Sequence, residues 1–596
     1  MKKKFIMGAF TFLGLALASC SGKSNAYDVY GVDPEDSTVK KVGNIDLIFK
    51  EDSTIPYIPL DDGVKLMSLM RSTNLDDKKY NYSWKKENDA YIVSNERGAT
   101  CTISSKDQTF TYSDFDEFVG LITDDQKPLS LMPKKSNLKA IQFKESTYTK
   151  GKSRTIDLKP YSRLDVYEKD GGCYLPLSVY NSLLFNTTES VSLAYNTKNL
   201  FIIPGGSLTT DALGIPMPTL LGDKFREGVD IKTITDEFKE YNYQSIVMDF
   251  DNNYGLKDEK FVSFDTYLND LGFKSDMLSN DPKTIDRATL SALTWLKDGH
   301  TALSDLSNYY EFGDNQIDKN KLNPEKQAWE KIGEDLKAAK EKAKIKDGIS
   351  YMGDTAFIAF TNFTAIDNDA LYQEKFDDSL ALDDFTGPND TPGFDFELPD
   401  LDLTPSDTAT LFNQLFKDLT SDKYKNTIKN VVVDLTTNEG GAAESLLYAL
   451  STLVGKVTID VVNPKTNAVN HQSYMADINA DGKFDDKDKS LSELGFKIYI
   501  LSSNATFSSG NALAVYAKLN NSKIVTLGDK TGGGPCAVRQ FVTPIGSMIS
   551  SSSTTVLSKP LDNKYVSIES GVAADHPLTY EQMVDRQYIV NTLKNW

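Results

Sequence analysis

Residues 496–512 read FKIYILSSNATFSSGNA. Ile498, Tyr499, Ile500 and Leu501 form an apolar, β-prone run that ends in small polar residues. A helical pattern of Ala512, Leu513, Val515, Tyr516 and Leu519 follows directly. The change of period places Ser508 and Ser509 on a strand-to-helix turn. Such a turn exposes a hydroxyl while the helix N-terminus aims unused N–H groups at the same place. That suits a nucleophile flanked by donors for an oxyanion. It equally suits an ordinary helix cap, a position where serine is common.

Further segments extend the pattern on both sides. Residues 428–441, IKNVVVDLTTNEGG, are a buried-strand run ending in Asp, Asn and paired Gly; residues 523–534, KIVTLGDKTGGG, are a short strand ending in Gly. From residue 351 onward YMGDTAFIAF, TATLFNQLFKDL, NVVVDL, AAESLLYALSTLV, KVTIDVV, KIYILSS, SGNALAVYAKL and KIVTLG alternate strand and helix patterns. Alternation of this kind predicts an α/β layered core over 346–596. An acidic insert at 375–406, rich in Pro, Gly and Asp, reads as an irregular surface loop.

Upstream, residues 293–301 read LTWLKDGHT, and near the end residues 569–575 read ESGVAAD. In this order and spacing the five segments resemble the tail-specific, or C-terminal processing, serine peptidase family. The family carries D-G/S-H-T, DLRxNxGG, T-x-S-A-G/S-E/N, G-x-x-T-x-G and E-x-G-V-x-P-D. The resemblance covers roughly residues 230–596 and implies a crotonase/ClpP-like layered spiral for the core. It further implies that Ser508 is the nucleophile and that the Ser509 and Gly441 N–H groups form the oxyanion hole. Gly440 and Gly441 lack a Cβ, which lets backbone donors approach a carbonyl.

The chain departs from that family at several points. Only about fifty residues separate His300 from YMGDTAFIAF, too few for the PDZ domain many members carry. The run Thr531, Gly532, Gly533, Gly534 lacks the lysine base of the T-x-G-K-G pattern, and Lys530 precedes the threonine instead. The resemblance is therefore to the tricorn-type and retinoid-binding-protein-type branch, in which the histidine of the DGHT segment is the base. His300 is that residue, one of three histidines; His471 and His576 lack comparable context. Glu569 matches the glutamate that orients the base. Gly299 stands where the tricorn-type pattern has serine, and Ala574 where the family has proline, so the relay is incomplete, with a direct contact, a water or Asp298 as the alternatives that would complete it. A non-catalytic binding protein on the same fold is the rival expectation. So is an adhesion or scaffolding lipoprotein that works through its N-terminal region.

Residues 477–488, DINADGKFDDKD, form a separate motif. Asp477, Asn479, Asp481, Lys483 (through its carbonyl), Asp485 and Asp488 fall at the ligand positions of a calcium loop, with Gly482 at the bend. Aspartate in place of the usual final glutamate resembles the dockerin version. Hard oxygen donors at this spacing suit calcium as a structural ion, and no organic cofactor is expected.

The N-terminus has a basic start, an apolar stretch Phe5–Ala18 and the sequence LASC ending at Cys20. This pattern predicts a lipoprotein signal over 1–20, lipid on Cys20 and a flexible tether over 21–45. The expected location is the periplasmic or cell-surface side of a bacterial membrane. A net charge of −20 argues against nucleic acid as a partner and against electrostatic docking on anionic lipid, while the resemblance implies a protein or peptide substrate.

Residues 46–225 are β-rich and contain no histidine, which predicts a non-catalytic domain. Within them IPYIPLDDGVKLM and GCYLPLSVYNSLLF are alike, a weak internal duplication. This form loosely resembles the small N-terminal domain of copper amine oxidases. Cys101 and Cys173 lie in the same region, where pairing is open. Residues 226–345 are mainly helical, a cap carrying the DGHT segment; in DPKTIDRATLSALTWLKDG, Asp281 and Pro282 mark a helix start. Within the cap the charged segment NPEKQAWEKIGEDLKAAKEKAK reads as a solvent-facing helix.

Overall fold

The computed structural model describes residues 25–32, 38–74, 81–119, 138–186, 191–204, 224–225, 234–307, 319–372 and 407–594. Cys20 with its signal, and the insert 375–406, lie outside the described residues.

The core is a six-stranded sheet in the order Gly348–Met352, Thr355–Ala359, Asn430–Asp434, Lys497–Ser502, Val525–Gly528, His576–Pro577. The first two strands form an antiparallel hairpin, and every later pairing is parallel. Strands buried on both faces read as continuous apolar runs, which is why NVVVD and KIYIL carry so few polar residues. Successive side chains alternate between faces. Val431, Val433, Ile498 and Ile500 pack with Phe412, Leu450 and Leu513 from three helices, Thr408–Thr420, Ala443–Val454 and Ser509–Asn520. Val432, Tyr499 and Leu501 pack on the other face with Leu336 of Pro324–Lys342 and with Ile589 and Val590 of Arg586–Leu593. Each such side chain contributes about 1.5–3 kcal/mol on burial.

A seven-stranded antiparallel sheet stands beside this core. Its path runs Ala302–Asp305, Met548–Leu561, Val457–Asn463, Ala468–Ala476, Ile141–Thr149, with Cys536–Val542 and Lys564–Ser567 also on Met548–Leu561. Ile141–Thr149 comes from the β-rich N-terminal region and Ala302–Asp305 from the helical region. Both pair with strands of the C-terminal part, so hydrogen bonds cross the divisions expected near residues 225 and 345.

The N-terminal region holds a five-stranded meander from Ser83 to Asp157, a four-stranded sheet and a three-stranded sheet. The two similar segments meet directly. Tyr57–Pro59 pairs antiparallel with Gly172–Pro176, and each strand runs straight into a helix. Tyr180 donates its hydroxyl to the Gly63 carbonyl at 2.9 Å, and its ring fills the space where a Gly63 Cβ would stand. Cys101, Cys173 and Cys536 are all buried free thiols, so Cys101 and Cys173 are not paired.

In the helical region Asp281 caps Pro282–Thr294 through the N–H groups of Lys283 and Thr284, as its Asp-Pro start predicts. Pro324–Lys342 departs from expectation. It is not a wholly solvent-facing helix: Leu336 and Lys340 are buried, and Trp329 donates its indole N–H to the Asn504 carbonyl at 2.8 Å. Among the described residues no helix is long and apolar enough to cross a membrane.

Candidate active site

Ser508 stands between the strand Lys497–Ser502 and the helix Ser509–Asn520, at φ 53° and ψ −121°. A non-glycine residue held there is strained, and such strain persists where the surroundings over-determine it. The surroundings are explicit. Thr506 donates its hydroxyl to Leu435 O at 2.7 Å, Ser503 to Thr436 O at 2.6 Å. The Phe507 N–H reaches Asn438 O at 2.9 Å and the Ser508 N–H reaches Gly533 O at 2.9 Å. The elbow is thus tied to the loops after two neighbouring strands. Ser508 makes no side-chain cap bond, which disposes of the capping alternative.

The paired glycines meet this elbow. A Cβ on Gly440, which has φ +106°, would lie 2.5 Å from Ser508 Cβ and 2.9 Å from its Oγ. Asn438 shapes the turn through its side chain: Oδ1 accepts the Gly440 N–H at 3.0 Å, and Nδ2 donates to Phe360 O at 3.0 Å. Phe363 bridges the turn through the Gly440 carbonyl and the Ala442 N–H. The Gly441 carbonyl accepts from the Ser509 hydroxyl at 2.8 Å. No hydrogen bond from the N–H of Gly441 or Ser509 to any other described residue is present. These are the two donors expected for an oxyanion: Ser509 directly follows the elbow serine, and Gly441 lies in the neighbouring loop, where its carbonyl accepts the Ser509 hydroxyl.

His300 reaches the same place through Phe507. Their ring centroids are 4.8 Å apart at 61°. His300 Nδ1 is buried without a partner, and no hydrogen bond joins His300 to Ser508. Burial lowers the imidazole below its ordinary value of 6.5, with Asp298 opposing. The Asp298 carboxylate holds the segment rather than the ring: it accepts from the His300 backbone N–H at 3.0 Å, Tyr254 OH at 3.1 Å and Thr301 OH at 2.5 Å.

Glu569 does not orient His300 in this arrangement. Its carboxylate accepts the Gly534 N–H at 3.0 Å and pairs with Lys260 at 3.2 Å. Burial raises its carboxyl above 4.5; Lys260 opposes the rise and Asp298 adds to it. The missing lysine has a steric counterpart. A Cβ on Gly534, at φ +85°, would lie 2.6 Å from the Phe507 ring. Lys530 is exposed.

Beneath the site, Asp434 is fully buried, with Lys340 at 3.1 Å, Arg586 at 2.7 Å and Thr436 OH at 2.6 Å. Burial alone would raise its carboxyl, yet the two cations outweigh that and hold it well below the usual range. Neither partner was legible as such, because they come from two distant helices.

In the calcium-type loop the carboxylates accept hydrogen bonds from the loop's own backbone. Asp477 accepts from the Asp481 and Gly482 N–H groups, and Asp481 from Lys483 N–H. Asp488 accepts from Ile478, Asn479 and Asp485 N–H. Lys487 N–H goes to Asp485. Among the described residues no three His, Cys, Asp or Glu side chains converge as a metal would require. A cavity of about 730 Å³ lies elsewhere, lined in part by Tyr161, Glu240, Asp251 and Lys274 and by none of the residues above.

The fold and the elbow define an α/β protein that presents a strained, uncapped serine beside open backbone donors. Residues 392–577 match the model of peptidase family S41. The match includes Ser508, Gly440, Gly441 and Glu569 but not His300. No curated protein matches the chain. A Parabacteroides merdae protein is similar over 60% of this chain and 96% of its own, at 14% identity and a TM-score of 0.39. Mature CPAF is similar over 60% and 96%, at 12% identity and 0.33. The photosystem II D1 C-terminal processing protease is similar over 40% of this chain and 46% of its own, at 16% identity and 0.25. Scores this low carry no argument.

Proposed function

We propose that this chain is a serine endopeptidase or processing peptidase that hydrolyses peptide bonds through an acyl-enzyme. One observation carries the reading: Ser508 is strained and uncapped, with Gly440 pressed against it, and the N–H groups of Ser509 and of Gly441, whose carbonyl accepts the Ser509 hydroxyl, have no acceptor among the described residues. Ser508 Oγ attacks the peptide carbonyl, and His300 takes its proton and returns it to the leaving amine. The Gly441 and Ser509 amides hold the developing oxyanion, and water then releases the acyl group. A neutral imidazole is the form a base needs, and burial favours it. Labelling of Ser508 by a fluorophosphonate, lost in Ser508→Ala, tests the reading.

The rival, a non-catalytic binding protein on the same core, is favoured by the absence of any Ser508–His300 hydrogen bond. Catalytic hydrogen bonds often tighten only in the complex with substrate. A wild-type chain that neither labels nor cleaves peptides decides for the rival.

Export with a lipid on Cys20 completes the reading; Cys20→Ala should leave the chain unprocessed or release it from membranes. Calcium at Asp477, Asn479, Asp481, Lys483, Asp485 and Asp488 is a structural proposal; a carboxylate that accepts a loop N–H keeps lone pairs for an ion. At free calcium a hundredfold above Kd it would stabilise the fold by about 2.7 kcal/mol. A calcium-dependent rise in melting temperature, absent in Asp481→Ala, is the expected result; no shift on metal-stripped protein refutes it.

A further inference from the structure

The tip of the Phe507 ring sits between two glycines. A Cβ built on Gly299 would lie 2.6 Å from Phe507 Cζ, and one built on Gly534 would lie 2.6 Å from the same atom. These are two of the positions at which the chain departs from the peptidase pattern, one lacking a serine and the other a lysine. A single ring explains both departures, because neither side chain fits while Phe507 occupies that space. The ring also meets His300 edge-on at 4.8 Å and Trp329 at 5.5 Å. Trp329 is itself anchored on Asn504 O.

The nearby carboxylates are committed elsewhere. Glu569 is held by the Gly534 N–H and Lys260. Asp298 is held by Tyr254, Thr301 and the His300 backbone. His300 Nδ1, the atom a carboxylate would orient, is buried with no partner.

We propose that Phe507 is the positioning residue for His300, in place of a carboxylate relay, so that the reacting unit is a Ser508–His300 dyad braced by an aromatic ring. This rests on the serine-peptidase reading. Edge-to-face aromatic packing fixes a ring plane without supplying charge. A base held this way keeps its place but gains no stabilisation of its imidazolium from a bonded carboxylate. Asp298 is the charged group that acts on the imidazole; around Asp298 lie Glu569 with its partner Lys260, Tyr254, Cys536 and Lys326, whose ammonium donates to the Asp298 backbone carbonyl at 3.1 Å.

The experiment compares kcat, KM and the pH profile of kcat/KM for wild type, Phe507→Leu, Phe507→Ala, Gly299→Ala and Gly299→Ser/Phe507→Ala. Phe507→Leu nearly conserves volume and keeps the variant folded. It should lower kcat about tenfold to a hundredfold with KM little changed, the effect of a misplaced base. Gly299→Ala should reproduce that loss by displacing the ring. Gly299→Ser/Phe507→Ala should regain activity over Phe507→Ala, because the seryl side chain has room only once the ring is gone. In Phe507→Ala the acid limb should move up toward the ordinary imidazole value as water reaches His300. Wild-type kcat and pH profile in Phe507→Leu, or a loss in Glu569→Gln that Phe507→Leu does not share, overturns the proposal. Wild-type protein that is not labelled at Ser508 overturns the peptidase reading itself. Labelling at the wild-type rate in every Phe507 and Gly299 variant overturns only the positioning role.

Discussion

Two adjacent parallel strands end in opposite ways. Asn430–Asp434 ends in a closed polar network: Asp434 is buried and satisfied by Lys340, Arg586 and Thr436. Lys497–Ser502 leads to an open one: a strained serine whose side chain makes no hydrogen bond, two backbone donors without acceptors and a histidine nitrogen without a partner. Burying an unpaired polar group costs free energy, so native structures close such networks almost everywhere. An end left open beside one that is closed marks where a substrate's polar atoms belong. The difference also separates two kinds of residue, those whose loss unfolds the chain and those whose loss silences it.

The sharpest break in that comparison is Ser508→Ala. It should lower peptide hydrolysis at least about ten-thousand-fold, since losing one member of a concerted unit costs nearly as much as losing all. The melting temperature should stay near that of wild type, and exposed Lys530→Ala, the control, should match wild type in both. A variant that unfolds instead would place Ser508 on the structural side.

Asp434→Asn tests the closed end. It leaves two buried cations without their counter-charge and should cost about 3–5 kcal/mol by denaturant unfolding. The folded-state carboxyl is depressed, so its contribution is complete above the ordinary value of 3.8 and is lost as pH falls through the folded value. Acid unfolding of wild type should therefore be steep, and that of Asp434→Asn shallower.

Ser508→Gly sharpens the contrast from the open side. Glycine accepts φ 53° and ψ −121° without the strain serine bears there. Relief should raise stability by about 1 kcal/mol while abolishing activity. An unchanged or lowered melting temperature would show that the elbow stores no strain.

The smallest effect concerns pH. Burial lowers His300 below 6.5, so the neutral base should persist on mild acidification. The acid limb of kcat/KM should have its midpoint below 6.5, and a midpoint above that value would count against His300 as the base.

Ser508 was legible in the chain because a change from strand to helix period marks a turn whatever the rest of the molecule does. The glycine pair was legible as a close approach, and Gly440 packs against Ser508. The Asp-Pro start of the helix Pro282–Thr294 was equally local. Glu569 was legible as a motif residue but not in its partners, because its company comes from residue 260 and residue 534.

Local order thus follows from the sequence itself: strands, turns, caps and the serine's place on an elbow depend on neighbours a few positions away. Long-range company was decided by the tertiary structure alone. Ile141–Thr149 joins the sheet of Ala468–Ala476 across more than three hundred residues. Lys340 and Arg586 converge on Asp434 from two helices. Phe507 brings Gly299, Gly534, His300 and Trp329 around one ring. Periodicity specifies which face of an element is buried, but not which partner covers it, because apolar burial is non-directional. Only the packed fold selects among partners, through shape and through the requirement that buried charges find each other.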